Sequence, residues 1–517
     1  MRHRLRHILR FLVSRTTIVI LMILLQLVFA IILFNALGDY FVTFQFAATF
    51  ISFLVILFII NKKENPAYKL AWIVPLTLFP IATGLLYLAL GGNRSSQSFI
   101  KRLNQANEDT AEILNQQDGI LEALAQKSKS AAKQSSYLVN GPKFPIYKNT
   151  QTTYFSSGED FFVKLVEELK NAKEYIFMEF FIVEEGLMWD TILAILKMKA
   201  AEGLDIRFMY DDLGSLFTLP FRYSTALREF GIKSVAFNHF IPLLSLRHNN
   251  RDHRKIVVID GETAFTGGCN LADEYINAFE KHGKWKDCMI MLKGEAVYSF
   301  TIMFLQTWKY FSGNAYEKDK DFYKYKPHEK VISDSAGFVQ PYGDSPLDEE
   351  ATGEIVYLNL INNAQEYIYI MTPYFIVDDT VLSALTVAAE SGIDVRIMTP
   401  HIPDKAYVHV LTRANYEALT SAGVRVFEYE PGFIHSKTFV VDDEYVTVGT
   451  VNLDYRSFYL HFECGAWMYK TNIVADVKAD FLATQEICRE VTYEDAKNDS
   501  FFIRIVRAVL GVFAPLM

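Results

Sequence analysis

Two stretches of this 517-residue chain bring together residue types suited to one kind of reaction. Residues 253–270 read HRKIVVIDGETAFTGGCN, and residues 435–452 read HSKTFVVDDEYVTVGTVN. Each contains His-x-Lys-x-x-x-x-Asp, followed seven residues after the Asp by Gly-(Gly/Thr)-x-Asn. The first copy supplies His253, Lys255, Asp260, Gly267, Gly268 and Asn270. The second supplies His435, Lys437, Asp442, Gly449, Thr450 and Asn452. A single His-x-Lys reads as a solvated strand end. Duplication changes that reading, because packing can explain repeated apolar residues but not repeated His, Lys and Asn.

A phosphodiester resists attack because its negative charge repels nucleophiles and its alkoxide leaves poorly. Two imidazoles answer both difficulties near neutral pH. One neutral His attacks phosphorus and forms a phosphohistidine, while the other, protonated, gives its proton to the departing alcohol. The second His then deprotonates the incoming hydroxyl. The two Lys and two Asn can hold the non-bridging oxygens. For the Gly pair, a tight turn and a ligand contact are both open. Such chemistry requires neither metal nor cofactor, and the sequence has no H-E-x-x-H and no acidic metal cluster.

These side chains must be aimed by rigid elements. Residues two apart on a strand share a face, so His and Lys of each motif project together. The apolar runs behind them, IVVI and TFVV, have the composition of buried strands. Other segments repeat in the same order: 172–183 with 364–377, 203–209 with 392–398, and 230–237 with 422–429. The offsets of 182 to 192 residues mark an internal duplication. Helical spacing at 160–172, near 189–202 and near 222–230 alternates with strands at 175–183, 206–210 and 233–237. Apolar strands between amphipathic helices predict a sheet covered on both faces. The fold class is therefore α/β, with two similar halves at 146–335 and 336–500, packed so that the motifs meet. A polar helical connector at 93–145 precedes them and ends at GPKFP.

The N-terminus differs in kind. Five Arg and no acid occupy residues 1–15, and Asp39 is the only charge between Arg15 and Lys62. Segments 16–38, 40–61 and 70–92 each have about the 20 residues needed to cross a bilayer. Residues 1–92 are read as a multi-pass membrane anchor, the first two segments forming a hairpin at Asp39–Tyr40, and not as a cleavable signal peptide. Pro75, Pro80 and Gly84 leave open whether 70–92 crosses fully or bends back. A full span would put the rest of the chain outside the cell. Arg94, Lys101 and Arg102 favour the cytoplasmic side. The residues after 92 hold 43 basic against 58 acidic side chains, a balance of −15 that counts against nucleic acid as a partner. Cysteines 269, 288, 464 and 488 show no disulfide or metal spacing.

The paired motifs resemble those of the phospholipase D superfamily. The surroundings are similar to bacterial cardiolipin synthases: RDHRKIVVIDGETAFTGGCNLADEYIN and WKD, then TPYF, EYEPGFIHSKTFVVDD and VGTVNLDYRSF, with NPAYKLAWIVPLTLFPIATGLLYLALGG at 65–92. The resemblance covers almost the whole chain. It implies two phospholipase D-like α/β/α halves forming one pseudo-symmetric catalytic unit after N-terminal transmembrane helices. It implies phosphatidyl transfer in the bacterial cytoplasmic membrane, with phosphatidylglycerol as substrate and cardiolipin as product. Water or another alcohol as acceptor would give a phospholipase D or a different transferase. It assigns the nucleophile to His253 and the acid/base to His435, a choice the symmetric motifs do not make. It also implies a carboxylate supporting each His, for which Asp287 and Glu463 are the candidates.

Asp260 and Asp442 complete the catalytic motif, and their chemistry suits bonding of turn backbone. Glu179 and Tyr374, at corresponding strand ends, either line a headgroup pocket or sit in the core or at its rim. Arg251 and Arg254 either attract an anionic headgroup or are solvated turn charges. Asp211–Asp212 reads as the opening of a turn. Residues 501–517 suit an interfacial amphipathic helix, with packing on the protein body as the alternative. The sequence leaves a homo-oligomer open.

Overall fold

The computed structural model describes residues 41–90, 113–239, 249–312, 322–326, 337–348 and 350–516, with six further positions between Leu24 and Ile32. Two compact units are distinguished. Of the described residues, one unit comprises those up to Leu90 and those from Ala508 onward, and the other holds the rest.

In the first unit a helix spans Phe41–Ile60. Its Val42–Ile60 stretch is long and apolar enough to cross a membrane, and no other described helix is. The proposed segment 16–38 and its hairpin turn lie largely outside the described residues. Segment 70–92 is not one helix: Pro66–Leu78 and Pro80–Leu90 meet at Phe79, whose φ of −135° leaves the helical region. Pro80 has no N–H to continue the ladder and disfavours a helical residue before it. The Thr83 hydroxyl bonds back to the Pro75 carbonyl at 3.1 Å across the break. At 1.5 Å per residue neither piece alone reaches the roughly 30 Å of a bilayer core.

The second unit is built on two sheets of matching topology. In the first the strand order is Thr150–Phe155, Met289–Gly294, Thr263–Gly267, Ile256–Ile259, Tyr175–Phe180, Asp205–Asp211, Lys233–Phe237. The second repeats it as Phe338–Asp344, His461–Tyr469, Tyr445–Gly449, Thr438–Val441, Tyr367–Met371, Asp394–Pro400, Arg425–Tyr429, with Cys488–Val491 added at the edge. Each sheet is mixed: three strands run parallel, and the strand behind each His motif lies antiparallel to the first of them. The duplicated segments thus occupy equivalent places.

Burial follows the period of two along these strands. Ile256 and Val258 face the core shared by the two sheets, while Val257 and Ile259 face a core beneath the helices Gly158–Asn171 and Leu187–Ala201. In the second sheet Val440 joins the shared core, and Phe439 and Val441 turn to the opposite side. Helix Val297–Phe311 and helix Ile473–Gln485 contribute Phe300, Phe304, Trp308, Val477 and Phe481 to the shared core. Both faces of each sheet are therefore covered. The polar connector contains helices Ile120–Lys127 and Lys129–Asn140, the second ending at Gly141.

Candidate active site

The two halves meet by exchanging short strands. Arg251–Asp252, directly before His253, pairs in parallel with His461–Phe462 of the second half. Gly432–Ile434, directly before His435, pairs in parallel with Lys284–Lys286 of the first. The backbone continues each match: His253 N–H donates to the Phe462 carbonyl at 3.0 Å, and His435 N–H donates to the Lys286 carbonyl at 2.7 Å. Each imidazole is thereby set against the residue that follows in the other half.

Those residues are the two candidate carboxylates, and their pairing is crossed. Nδ1 of His253 lies 2.9 Å from both oxygens of Glu463. Nδ1 of His435 lies 2.7 Å from Asp287 Oδ2. Both carboxylates are fully buried. A carboxylate on Nδ1 holds the imidazole in the tautomer that leaves Nε2 unprotonated. Burial, with the charges of Lys255 and Lys437 next, pushes His253 well below its ordinary pKa. Burial and then Lys437 push His435 down to about 4. Burial works against ionising Asp287, yet His435 and Lys437 outweigh it and hold this carboxyl below its usual range. Both imidazoles therefore rest neutral, with Asp287 an anion.

Lys255 Nζ donates to the His253 carbonyl at 2.6 Å, and Lys437 Nζ donates to the His435 carbonyl. An ammonium has three donors, so donors remain for a phosphate. Burial, followed by the neighbouring Lys437 charge, lowers Lys255 to about 7. Burial lowers Lys437 to about 8. The two Asn differ. Asn270 accepts from the Ile182 N–H at 3.0 Å and donates to Tyr275 OH at 2.7 Å. Asn452 donates to Asp454 at 3.2 Å, and its Oδ1 is buried without a partner.

Gly268 has a steric reason. A Cβ there would stand 1.9 Å from Asp287 Oδ1. Its counterpart Thr450 does the reverse, donating its hydroxyl to Glu463 Oε2. The short Asp thus needs a bare backbone beside it, and the longer Glu takes a hydroxyl.

Asp260 and Asp442 bond turn backbone as their chemistry suited, whereas Arg251 and Arg254 depart from both readings given them. Asp260 and Asp442 stand at the far ends of their strands from the imidazoles and touch backbone only. Asp260 accepts from the N–H groups of Lys173, Glu174 and Tyr175 at 2.8 to 2.9 Å. Asp442 accepts from Gln365, Glu366 and Tyr367 at 2.6 to 2.8 Å. Both adopt positive φ, 53° and 54°, which Asp tolerates better than most residues. Each carboxylate ties the turn after its motif strand to the start of the central strand beside it. Glu179 does not line a pocket: it is 0% exposed and accepts from Arg254 Nη2 at 2.6 Å. Arg251 and Arg254 are neither solvated nor open to a headgroup, being 2% and 5% exposed. Arg251 pairs with Asp211 at 3.1 Å, and Arg254 also pairs with Asp252 at 3.0 Å. Asp211 does hold a turn, accepting from the N–H groups of Leu213 and Gly214.

Tyr374 lines a small cavity with Asp404, Lys405 and Phe433, and its hydroxyl donates to Asp404 at 2.6 Å. Phe433, Tyr275 and Trp285 surround His435 with ring centroids 5.5 to 6.0 Å away, and Phe181 stands 5.2 Å from His253. His461, which sequence reasoning missed, has its ring 5.5 Å from that of His253. Its place two residues before Glu463 was the available signal. The four cysteines are all free, and Cys269 is buried in the outer core of the first half.

A family model described as "Cardiolipin synthase, PLD-like domain" matches residues 165–308 and 357–484, one stretch in each half. A second, "Phospholipase_D-nuclease N-terminal", matches residues 48–92. A cardiolipin synthase of Geobacillus sp. (strain WCH70) is 34% identical, covering 93% of this chain and 94% of its own. An uncharacterized protein of Streptococcus mutans is 42% identical over 89% of this chain and 99% of its own. Among solved structures, phosphatidylserine synthase of Haemophilus influenzae Rd KW20 matches with a TM-score of 0.55 at 17% identity. That match covers 74% of this chain and 97% of the other, and concerns the fold alone.

Proposed function

The chain belongs to the cardiolipin synthase family of phospholipase D-like proteins, and we propose that it makes cardiolipin from two molecules of phosphatidylglycerol. The observation that carries this reading is the crossed pairing of His253 with Glu463 and His435 with Asp287. Nε2 of His253 attacks the phosphorus of the first phosphatidylglycerol. The bond to glycerol breaks as His435 gives that oxygen a proton, and glycerol leaves. His435, now neutral, takes the proton from a hydroxyl of the second phosphatidylglycerol. That oxygen attacks the phosphohistidine, the P–N bond breaks, and His253 is regenerated.

The resting imidazoles are neutral, so the acid must be charged by the substrate. An arriving phosphodiester brings negative charge between Lys255, Lys437 and the two rings, which favours the protonated form of His435. Asp287 then faces an imidazolium it can stabilise. Lys255, Lys437 and the amides of Asn270 and Asn452 hold the non-bridging oxygens as charge develops.

Both substrates and the product are lipids, in keeping with the apolar helix Phe41–Ile60. We place the protein in the cytoplasmic membrane as a multi-pass anchor, aided by the C-terminal helix Phe501–Phe513. That helix exposes Phe501, Phe502, Ile505 and Val509. The test is purified protein with phosphatidylglycerol alone, followed by mass spectrometry. Cardiolipin and glycerol in equal amounts are expected. Phosphatidic acid without cardiolipin would make water the acceptor and overturn the synthase reading.

A further inference from the structure

The proposed transfer makes no use of His461. This imidazole is 8% exposed, and neither ring nitrogen has a hydrogen-bond partner. Its Nδ1 stands 3.7 Å from Glu463 Oε1. One donor atom from each of His253, His461 and Glu463 lies within 4.8 Å of the other two. An imidazole buried without a partner is costly, and its cost falls when a ligand takes its lone pair. Two imidazoles and one carboxylate are a protein donor set that a zinc-type dication takes, water or substrate completing its coordination. Hard ions such as Mg²⁺ prefer oxygen ligands and several waters. The Thr450 hydroxyl on the other oxygen of Glu463 would orient that ligand.

We infer that His253, His461 and Glu463 form a site for a zinc-type transition-metal dication, and that filling it inhibits phosphatidyl transfer. The neutral His253 ring carries one proton. With that proton on Nδ1 and donated to Glu463, the Nε2 lone pair faces phosphorus. A metal on Nδ1 moves the proton to Nε2, so no proton is lost but the nucleophilic pair is. A metal on Nε2 takes that pair directly. Lys255 and Lys437 oppose a dication, which makes the site weaker than a structural zinc site and reversible.

The test uses the full-length protein in detergent, with Co²⁺ as spectroscopic probe and Zn²⁺ as inhibitor. One Co²⁺ per chain should bind with the visible absorption of a low-coordinate N/O site, and Zn²⁺ should displace it. Zn²⁺ should inhibit cardiolipin formation, a chelator should restore it, and equal Mg²⁺ should do nothing. His461→Asn should weaken both Co²⁺ binding and Zn²⁺ inhibition by more than about tenfold. His461→Cys, which supplies a thiolate, should retain both. Unchanged metal binding and unchanged zinc sensitivity in a folded His461→Asn protein would overturn the inference. The cobalt spectrum does not depend on turnover, so failure to make cardiolipin would count against the proposed function alone.

Discussion

Glu463, carried by the second half of the molecule, accepts from Nδ1 of His253, carried by the first, at 2.9 Å. The reciprocal contact joins Asp287 to His435 at 2.7 Å. Neither half supplies the carboxylate bonded to its own motif imidazole, so His253 and His435 are each tuned by the other half. Glu463→Gln should therefore impair formation of the phosphoenzyme on His253, and Asp287→Asn should impair proton transfer by His435. Each should cost at least ~10²-fold in kcat. A substrate whose leaving group needs no proton separates the two. With a nitrophenyl phosphodiester, Asp287→Asn should still release nitrophenol in a burst, whereas Glu463→Gln should not.

The same substrate tests which imidazole is the nucleophile. His435→Ala should accumulate an acid-labile phosphoryl group on His253, because the base for the second step is missing. His253→Ala should form none. Peptide mass spectrometry of the quenched protein reads the result directly.

The alkaline limb of the pH profile should belong to the lysines. Burial lowers Lys255 to about 7 and Lys437 to about 8. Each is charged below its pKa and neutral above it, so the grip on phosphate is lost as pH rises through that window. The loss should appear in kcat/KM, which reports the free enzyme. Lys255→Arg keeps its charge throughout and should carry the limb upward. Because His253 is pushed well below its ordinary value, the nucleophile stays neutral into mildly acidic solution, and the acid limb should fall below pH 6.5.

Asp260→Asn should lower stability while leaving kcat nearly unchanged. Asn tolerates the positive φ but cannot accept three backbone N–H bonds as an anion. A loss of about 1–3 kcal/mol is expected by thermal or denaturant unfolding. Asp442→Asn should behave alike, since its carboxylate makes the same set of contacts.

Gly268→Ala should act on catalysis through Asp287. The added methyl would overlap Oδ1, so the carboxylate must move away from His435. Activity should fall about as far as in Asp287→Asn, with less effect on Tm. Glu179→Ala should do the opposite. It leaves Arg254 buried beside a vacated partner and should cost about 3–5 kcal/mol, with KM for lipid unchanged in whatever folds.

Much of this architecture could be read from the chain. The duplicated His-x-Lys motifs, the order of helices and strands and the apolar runs behind each His are local patterns, and local patterns are what periodicity reports. Position 268 against 450 showed that the halves differ, and Asp287 and Glu463 were singled out as the two carboxylates. Their partners were not legible, because likeness within a repeat suggests contacts within a half. The crossing arises from the strand exchange of Arg251–Asp252 with His461–Phe462 and of Gly432–Ile434 with Lys284–Lys286. Such pairing over some 150 to 210 residues leaves no periodic trace. Arg251 and Arg254 illustrate the same limit. On the chain they look like solvated charges; in the fold they neutralise Asp211, Asp252 and Glu179 out of water. Only the tertiary structure decides whether a charge is solvated or buried against its opposite, since that depends on what the rest of the chain packs above it. His461 had no repeated counterpart, and only the fold sets its ring beside that of His253.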